Sequence, residues 1–311
     1  MRKTALLLCV VLFAAACTDK FEKRQFYAMG TLVEITHKKD AGLKQVIRTI
    51  NEYEEQVKSF ENEYNNAPAG SSFPINPLWE VLFKKSYDYK ALSKDRFDIR
   101  AMSLTSLYGF PEGPFDLPSP EKYAAAVDAI KNKPLLFVDG KLVKEDERLK
   151  ISVGAFAKGM IVDKAVEVMK KNGVESGIVN AGGDLYAFGK KNKSRWRVGI
   201  RHPDDASKVI STIAISDKAV ATSGDYERFF MKNGIRYSHI FDMTTMEPAS
   251  LYRSVSVIAD NCETADGLST VFFLLPETDA AEVCKRTGTP VLIYTHDGRL
   301  IKLCGWESFE N

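Results

Sequence analysis

The stretch Gly177-Ile-Val-Asn-Ala-Gly-Gly-Asp-Leu-Tyr-Ala-Phe188 sets two short apolar runs on either side of a glycine pair. Paired glycines supply the positive φ values that a tight hairpin demands. The same freedom would let backbone approach a ligand closely, so Gly182 and Gly183 suit either purpose. Read as a hairpin, the stretch predicts strands over Gly177–Asn180 and Leu185–Phe188. Downstream, short runs predict strands over Trp196–Ile200, Val209–Ile215, Arg236–Phe241 and Ser254–Ala259. Val291–Tyr294 and Arg299–Lys302, joined at Asp297-Gly298, predict a closing hairpin. Between these groups Glu263–Leu275 and Asp279–Thr287 read as helices.

Upstream the period changes. Leu43, Val46, Ile47, Ile50, Tyr53 and Val57 recur at three-to-four spacing and predict an amphipathic helix over Ala41–Phe60. The Asn-, Pro-, Gly- and Ser-rich segment Asn62–Pro77 reads as a loop, and Pro77–Leu92 as a second helix. Ser119 as N-cap and Pro120 at the first helical position open a helix to Lys131. A longer helix runs from about Phe156 to Asn172 and stops at Gly173. Alternation predicts a strand over Tyr27–His37, with shorter ones at Leu135–Val138 and Leu149–Val153. Helices gathered early and strands gathered late predict an α+β fold, one domain over residues 25–311 with room for two lobes.

The chain has 311 residues, 43 basic and 41 acidic, for a formal net charge of +2. That balance excludes an electrostatically driven nucleic-acid binder, so no nucleic acid is expected as partner. A content of 45% hydrophobic and 11% aromatic residues excludes a disordered chain. Met1–Ala16 carries Arg2 and Lys3, then an apolar run of about 18 Å if helical, too short for a hydrocarbon core. It reads as a signal peptide. Ala14-Ala15-Ala16-Cys17 resembles a bacterial lipobox, which implies cleavage before Cys17 and its lipidation. Residues 17–24 would then be anchor and linker, and the protein a membrane-anchored lipoprotein facing the periplasm. Without the leader, basic and acidic residues balance at 41 each. Cys262, Cys284 and Cys304 read as small buried hydrophobes, with at most one disulfide among them.

Several segments carry chemistry. In Ile151-Ser-Val-Gly-Ala-Phe-Ala-Lys-Gly159 a strand gives way to a helix start, which aims free N–H groups at an anion. Lys158 lies in the first turn, where a cation is unfavourable by about 0.3–1 kcal/mol unless an anion faces it. Asp266 and Thr270, one turn apart, offer two oxygens to a hard cation such as Mg²⁺. His239 ends an apolar strand, and its ordinary pKa suits proton transfer.

In order along the chain come Met29-Gly-Thr31, Phe97-Asp98, Leu107-Tyr-Gly-Phe110, Gly154-Ala-Phe-Ala-Lys-Gly159 with Asp163, and Val179-Asn-Ala-Gly-Gly-Asp184. Trp196-Arg-Val-Gly-Ile200, Ala221-Thr-Ser-Gly-Asp-Tyr226, Tyr237-Ser-His-Ile240 and Asp266-Gly-Leu-Ser-Thr270 follow. This series resembles the ApbE family of periplasmic flavin transferases from about Phe26 to Trp306. The resemblance implies an ApbE-like fold of mixed, largely antiparallel sheets flanked by helices. It also implies an FAD:protein FMN transferase, which splits FAD, attaches FMN by a phosphoester to a threonine or serine of a target membrane redox protein, and releases AMP. Mg²⁺ would be held by the side chains of Asp266 and Thr270 and the backbone oxygen of Ala155. Met29, Phe97, Asp98, Ser152, Lys158 and Ile240 would line the FAD site, and His239 would help deprotonate the attacking hydroxyl. Ser152 stands where relatives usually carry Asp, and the segment Ser59–Asn65 looks like a shortened loop. FAD hydrolysis to FMN and AMP, or flavin binding without catalysis, would use the same residues.

Overall fold

The computed structural model describes residues 21–38 and 42–310; the expected signal peptide, Cys17, and the expected helix start at Ala41 lie outside them. In chain order the elements are β1 (Glu22–Ala28), β2 (Thr31–His37), α1 (Leu43–Asn66), β3 (Ser72–Pro74), α2 (Pro77–Leu92), α3 (Met102–Thr105), α4 (Pro120–Asn132), β4 (Leu136–Val138) and β5 (Lys141–Val143). They continue with α5 (Gly154–Lys171), β6 (Gly177–Ala181), β7 (Asp184–Phe188), β8 (Trp196–His202), β9 (Asp205–Ile215), β10 (Lys218–Gly224), β11 (Phe229–Lys232), β12 (Ile235–Ser238), β13 (Phe241–Asp242) and β14 (Glu247–Pro248). The last are β15 (Ser254–Ala259), α6 (Cys262–Leu274), α7 (Glu277–Thr287), β16 (Val291–Tyr294) and β17 (Leu300–Leu303).

The main sheet has eight strands in the order β1-β2-β6-β7-β10-β15-β16-β17, every neighbour antiparallel. Alternation along its strands feeds two cores. Tyr186 and Phe188 of β7, Ala219 and Ala221 of β10, and Val255 and Val257 of β15 face the helices α1, α5 and α6. Leu185, Val220 and Ile258 face the β8–β9 ribbon, where Trp196 and Trp306 close the second core. A third apolar cluster joins Leu104, Tyr108 and Phe110 to Ala126 and Ile130 of α4 and to Phe241. The mixed helices and antiparallel sheets agree with the α+β expectation.

Several local readings change. The expected single strand Tyr27–His37 is a hairpin, because Met29 and Gly30 take positive φ of 54° and 65° between β1 and β2. Such a pair matches the twist of the flanking strands. Helix α1 runs on to Asn66, so Ser59–Asn65 is helical and no loop is shortened there. Tyr64 continues the buried stripe of Val57 and Phe60 past the expected end, and packing outweighs the polar run around it. Leu149–Val153 is irregular; its edge is taken by hydrogen bonds to Asn65 and Ser103. Strands β10 and β11 were absent from the pattern, because small residues in β10 and a short span in β11 hide the period.

Cys284 of α7 and Cys304 after β17 form a disulfide across 20 residues, while Cys262 is free and buried. The reading of all three as buried hydrophobes is therefore corrected for two of them. A crosslink closing a loop of this length restricts the unfolded chain by roughly 3 kcal/mol. Unfolding in urea with and without reductant should show a loss of about 2–4 kcal/mol on reduction; an unchanged midpoint would contradict a stabilising role.

Candidate functional site

The site begins where α5 crosses α6. A Cβ on Gly159 would lie 2.2 Å from the carbonyl oxygen of Cys262, so only glycine lets the two backbones meet. At that crossing the Gly159 N–H donates to Asp266 Oδ2 at 2.9 Å. In a regular helix the same N–H serves the carbonyl of Ala155, so Asp266 competes with Ala155 for this donor. The start of α6 is held by Asp163 of α5, whose carboxylate accepts from Cys262 N at 2.8 Å and Glu263 N at 2.9 Å. This satisfies two orphan donors of a helix start from outside the helix. Glu263 is pinned by the Tyr89 hydroxyl at 2.6 Å and by Lys85 at 2.7 Å.

Asp266 is buried, and burial pushes its carboxyl up to about 6 although Lys158 and the Gly159 N–H pull it down. Thr270, also buried, lies one turn on; its hydroxyl is 3.1 Å from Ser223 Oγ of β10, which also meets Ser269 Oγ at 2.7 Å. The carboxylate, the hydroxyl and the first-turn carbonyl of Ala155, whose usual helical donor Asp266 takes, are all oxygens of the kind a hard cation accepts. Among the described residues no three His, Cys, Asp or Glu side chains converge as metal ligands, so a cation here would rest on one carboxylate.

Lys158 pairs with the buried Asp184, which opens β7 straight after the Gly182–Gly183 turn. Because α5 begins at Gly154, Lys158 is its fifth residue and stands in the second turn rather than the expected first; Asp184 is the anion that offsets it. Lys158 also lowers the pKa of both Asp266 and His239 and so links the two. His239 follows β12; its N–H and its Nδ1 each lie 3.1 Å from the Arg228 carbonyl oxygen. A carbonyl only accepts, so Nδ1 carries the proton and Nε2 keeps its lone pair. Burial, with the Arg228 and Lys158 cations, pushes His239 down to about 4 and holds it neutral at pH 7.

The Met29–Gly30 turn lies against this group. A Cβ on Gly182 would lie 2.4 Å from Thr31 Oγ1, and one on Gly30 would lie 3.7 Å from an Arg228 guanidinium nitrogen. The Met29 N–H donates to Glu54 at 2.8 Å. Ser152 Oγ accepts from Gly154 N at 3.2 Å at the start of α5. Glu61, pushed up to about 7 by burial, accepts from Val153 N at 2.6 Å beside it.

Other expected residues sit further out. Phe97 is buried between Tyr89 and Phe156, with ring centroids 5.9 and 6.3 Å away. Burial acts to raise the Asp98 carboxyl, but Arg100 at 2.7 Å and Lys90 at 3.0 Å hold it below the usual range. Asp98 is tied to those cations rather than to the Lys158–Asp266 group. Ile240 is buried, and its carbonyl accepts from Ala249 N at 2.7 Å. Sequence reasoning missed Glu61 and Arg228, the contact of Ser223 with Thr270 and the pairing of Asp184. Asp163 and Asp184 did stand inside quoted motifs, but their partners are remote in sequence.

A lysine in the second turn of a helix, a carboxylate–hydroxyl pair and a neutral histidine are groups that phosphoryl-group chemistry can use. Residues 29–293 match the ApbE family, and the chain belongs to that family. A Vibrio cholerae protein named FAD:protein FMN transferase is 28% identical, with 96% of each chain covered. An Escherichia coli protein of the same name is 27% identical over 95% of this chain and 93% of its own. The crystal structure of the ApbE protein from Thermotoga maritima superposes with a TM-score of 0.84 at 28% identity, covering 94% of this chain and all of that one. The flavin transferase ApbE from Vibrio cholerae superposes with a TM-score of 0.79 at 27% identity, covering 93% and 100%.

The folded pKa of Asp266 lies above its ordinary 3.8, at about 6. Its contribution therefore favours the fold most below pH 4 and is lost as pH rises through 6. In EDTA at pH 7, Asp266→Asn should be more stable than the parent by roughly 1–3 kcal/mol, the gap closing near pH 4. Paired thermal melts at the two pH values check this, and a less stable variant at pH 7 would contradict it.

Proposed function

We propose that the protein is an FAD:protein FMN transferase. The observation that carries this reading is the ApbE-family fold, in which the Lys158 charge beside the α5–α6 crossing acts on both the buried Asp266 and a neutral His239. Phosphoryl transfer asks for charge neutralisation and positioning more than for covalent help. The start of α5 and Lys158 would hold the FAD pyrophosphate. His239 Nε2 would accept the proton of a target threonine or serine hydroxyl. The hydroxyl oxygen forms a bond to the FMN phosphorus, the pyrophosphate P–O bond breaks, and AMP leaves with the bond's electron pair.

Mg²⁺ is proposed as the cofactor, held by Asp266, Thr270 and the Ala155 carbonyl. The donor chemistry fits: all are hard oxygens, and the buried carboxylate lacks a full counter-charge. When bound, the ion would supply Lewis-acid stabilisation of phosphate charge. The target is proposed to be a membrane redox protein. A lipid on Cys17, facing the periplasm, would bring the enzyme to it. The Cys284–Cys304 disulfide supports an oxidising compartment. Among the described residues no helix is long and apolar enough to cross a membrane.

Incubation with FAD, Mg²⁺ and a threonine-bearing target should leave flavin fluorescence on the denatured target and release AMP. Free FMN and AMP alone would mean hydrolysis; no AMP at all would mean binding without catalysis. Asp266→Ala should lower turnover by about 100-fold or more with the fold retained. Normal turnover in that variant would remove the metal assignment. His239→Ala should slow transfer about 100-fold or more while FAD affinity changes little. Equal losses of both would reduce His239 to a positional role.

A further inference from the structure

Lys158 shares its charge with Asp184 and Asp266. A pyrophosphate diester carries a negative charge on each phosphate, so the proposed substrate needs another cation close by. Several other cations in the C-terminal half of the chain are already matched. Arg201 pairs with Glu227 at 2.8 Å, and Arg253 pairs with Asp225 and Asp204. Arg236 lies 3.9 Å from Asp225, and Lys232 pairs with Asp116. Arg228 is exposed, and among the described residues its guanidinium has no ion-pair partner.

Its placement is nevertheless defined at both ends. The Arg228 carbonyl receives two hydrogen bonds from His239, from N–H and Nδ1, at 3.1 Å each. At the other end the guanidinium reaches the Met29–Gly30 turn, 3.7 Å from where a Gly30 Cβ would be. That turn abuts Gly182 through Thr31, two residues before Asp184. An uncommitted guanidinium therefore lies at the Met29–Gly30 turn, and both it and Lys158 are near enough to His239 to disfavour its protonated form.

We infer that Arg228 is a phosphate-binding residue of this site, its guanidinium taking pyrophosphate oxygens from the Met29–Gly30 side while Lys158 and the start of α5 hold them from the other. A guanidinium fork suits phosphate better than an ammonium, because it donates two parallel N–H bonds. The backbone carbonyl, not the side chain, orients His239, so the side chain can be changed without releasing the imidazole. This assignment rests on the transferase reading and extends it to a residue outside the recognised motif positions.

The test is flavin-fluorescence titration of the full chain with Mg²⁺, using FAD and riboflavin, which has no phosphate. Arg228→Ala should weaken FAD binding about tenfold or more and leave riboflavin within about twofold. Arg228→Lys should recover part of the FAD affinity. Unchanged FAD binding, or equal losses for FAD and riboflavin, would overturn the assignment. Should Arg228→Ala fail to fold, Arg228→Gln is read by the same ratio. A parent protein that transfers FMN beside an Arg228→Ala variant of equal FAD affinity sinks this inference alone. A parent that never releases AMP sinks the transferase reading, and the FAD-to-riboflavin ratio still judges Arg228.

Discussion

The contact between α5 and α6 at Gly159 is the constraint on which the site depends. Without a side chain at Gly159 the helices meet backbone to backbone, and the Gly159 N–H reaches Asp266. Asp163, one turn further along α5, caps the start of α6 and sets the register of the crossing. A second close approach reinforces it: a Cβ on Gly267 would strike the Tyr89 ring at 2.2 Å, so α2 also packs directly on α6. Both cradles require glycine, and both bracket the turn that carries Asp266. The main sheet supplies the floor, with Ser223 of β10 reaching up to Thr270.

Electrostatics follow from that packing. Burying Asp266 leaves a carboxylate whose charge is only partly balanced by Lys158, because Lys158 is shared with Asp184. Such a group is costly to keep ionised in a low-dielectric interior. A bound cation would relieve the cost, so stability and function pull in opposite directions at this residue. His239 shows the complementary case. Its surroundings disfavour a second proton, which keeps Nε2 available at neutral pH while lowering its basicity.

Much of this was legible in the sequence, for identifiable reasons. The Gly177–Phe188 hairpin, the Ser119-capped helix and the helix ending at Gly173 announce themselves through local turn and cap chemistry, and each forms where the pattern placed it. The i,i+4 relation of Asp266 and Thr270 is likewise local. What stayed hidden is non-local. The extension of α1 to Asn66 depends on Phe60 and Tyr64 packing against Trp79 and Phe73 from later elements. The Lys158–Asp184 pair spans 26 positions, and the Arg228–His239 bond spans 11. The disulfide could not be chosen from three cysteines by spacing, since the pairing depends on how α7 lies beside β17.

The central claim is that the helix crossing builds a cation site around Asp266. Thermal unfolding of the parent chain and of Asp266→Asn at pH 7, each with and without millimolar Mg²⁺, tests it most directly. A ligand that binds only the folded state raises the melting temperature by mass action. Mg²⁺ should stabilise the parent and leave Asp266→Asn unmoved. Equal stabilisation of both chains, or none in the parent, would contradict the account.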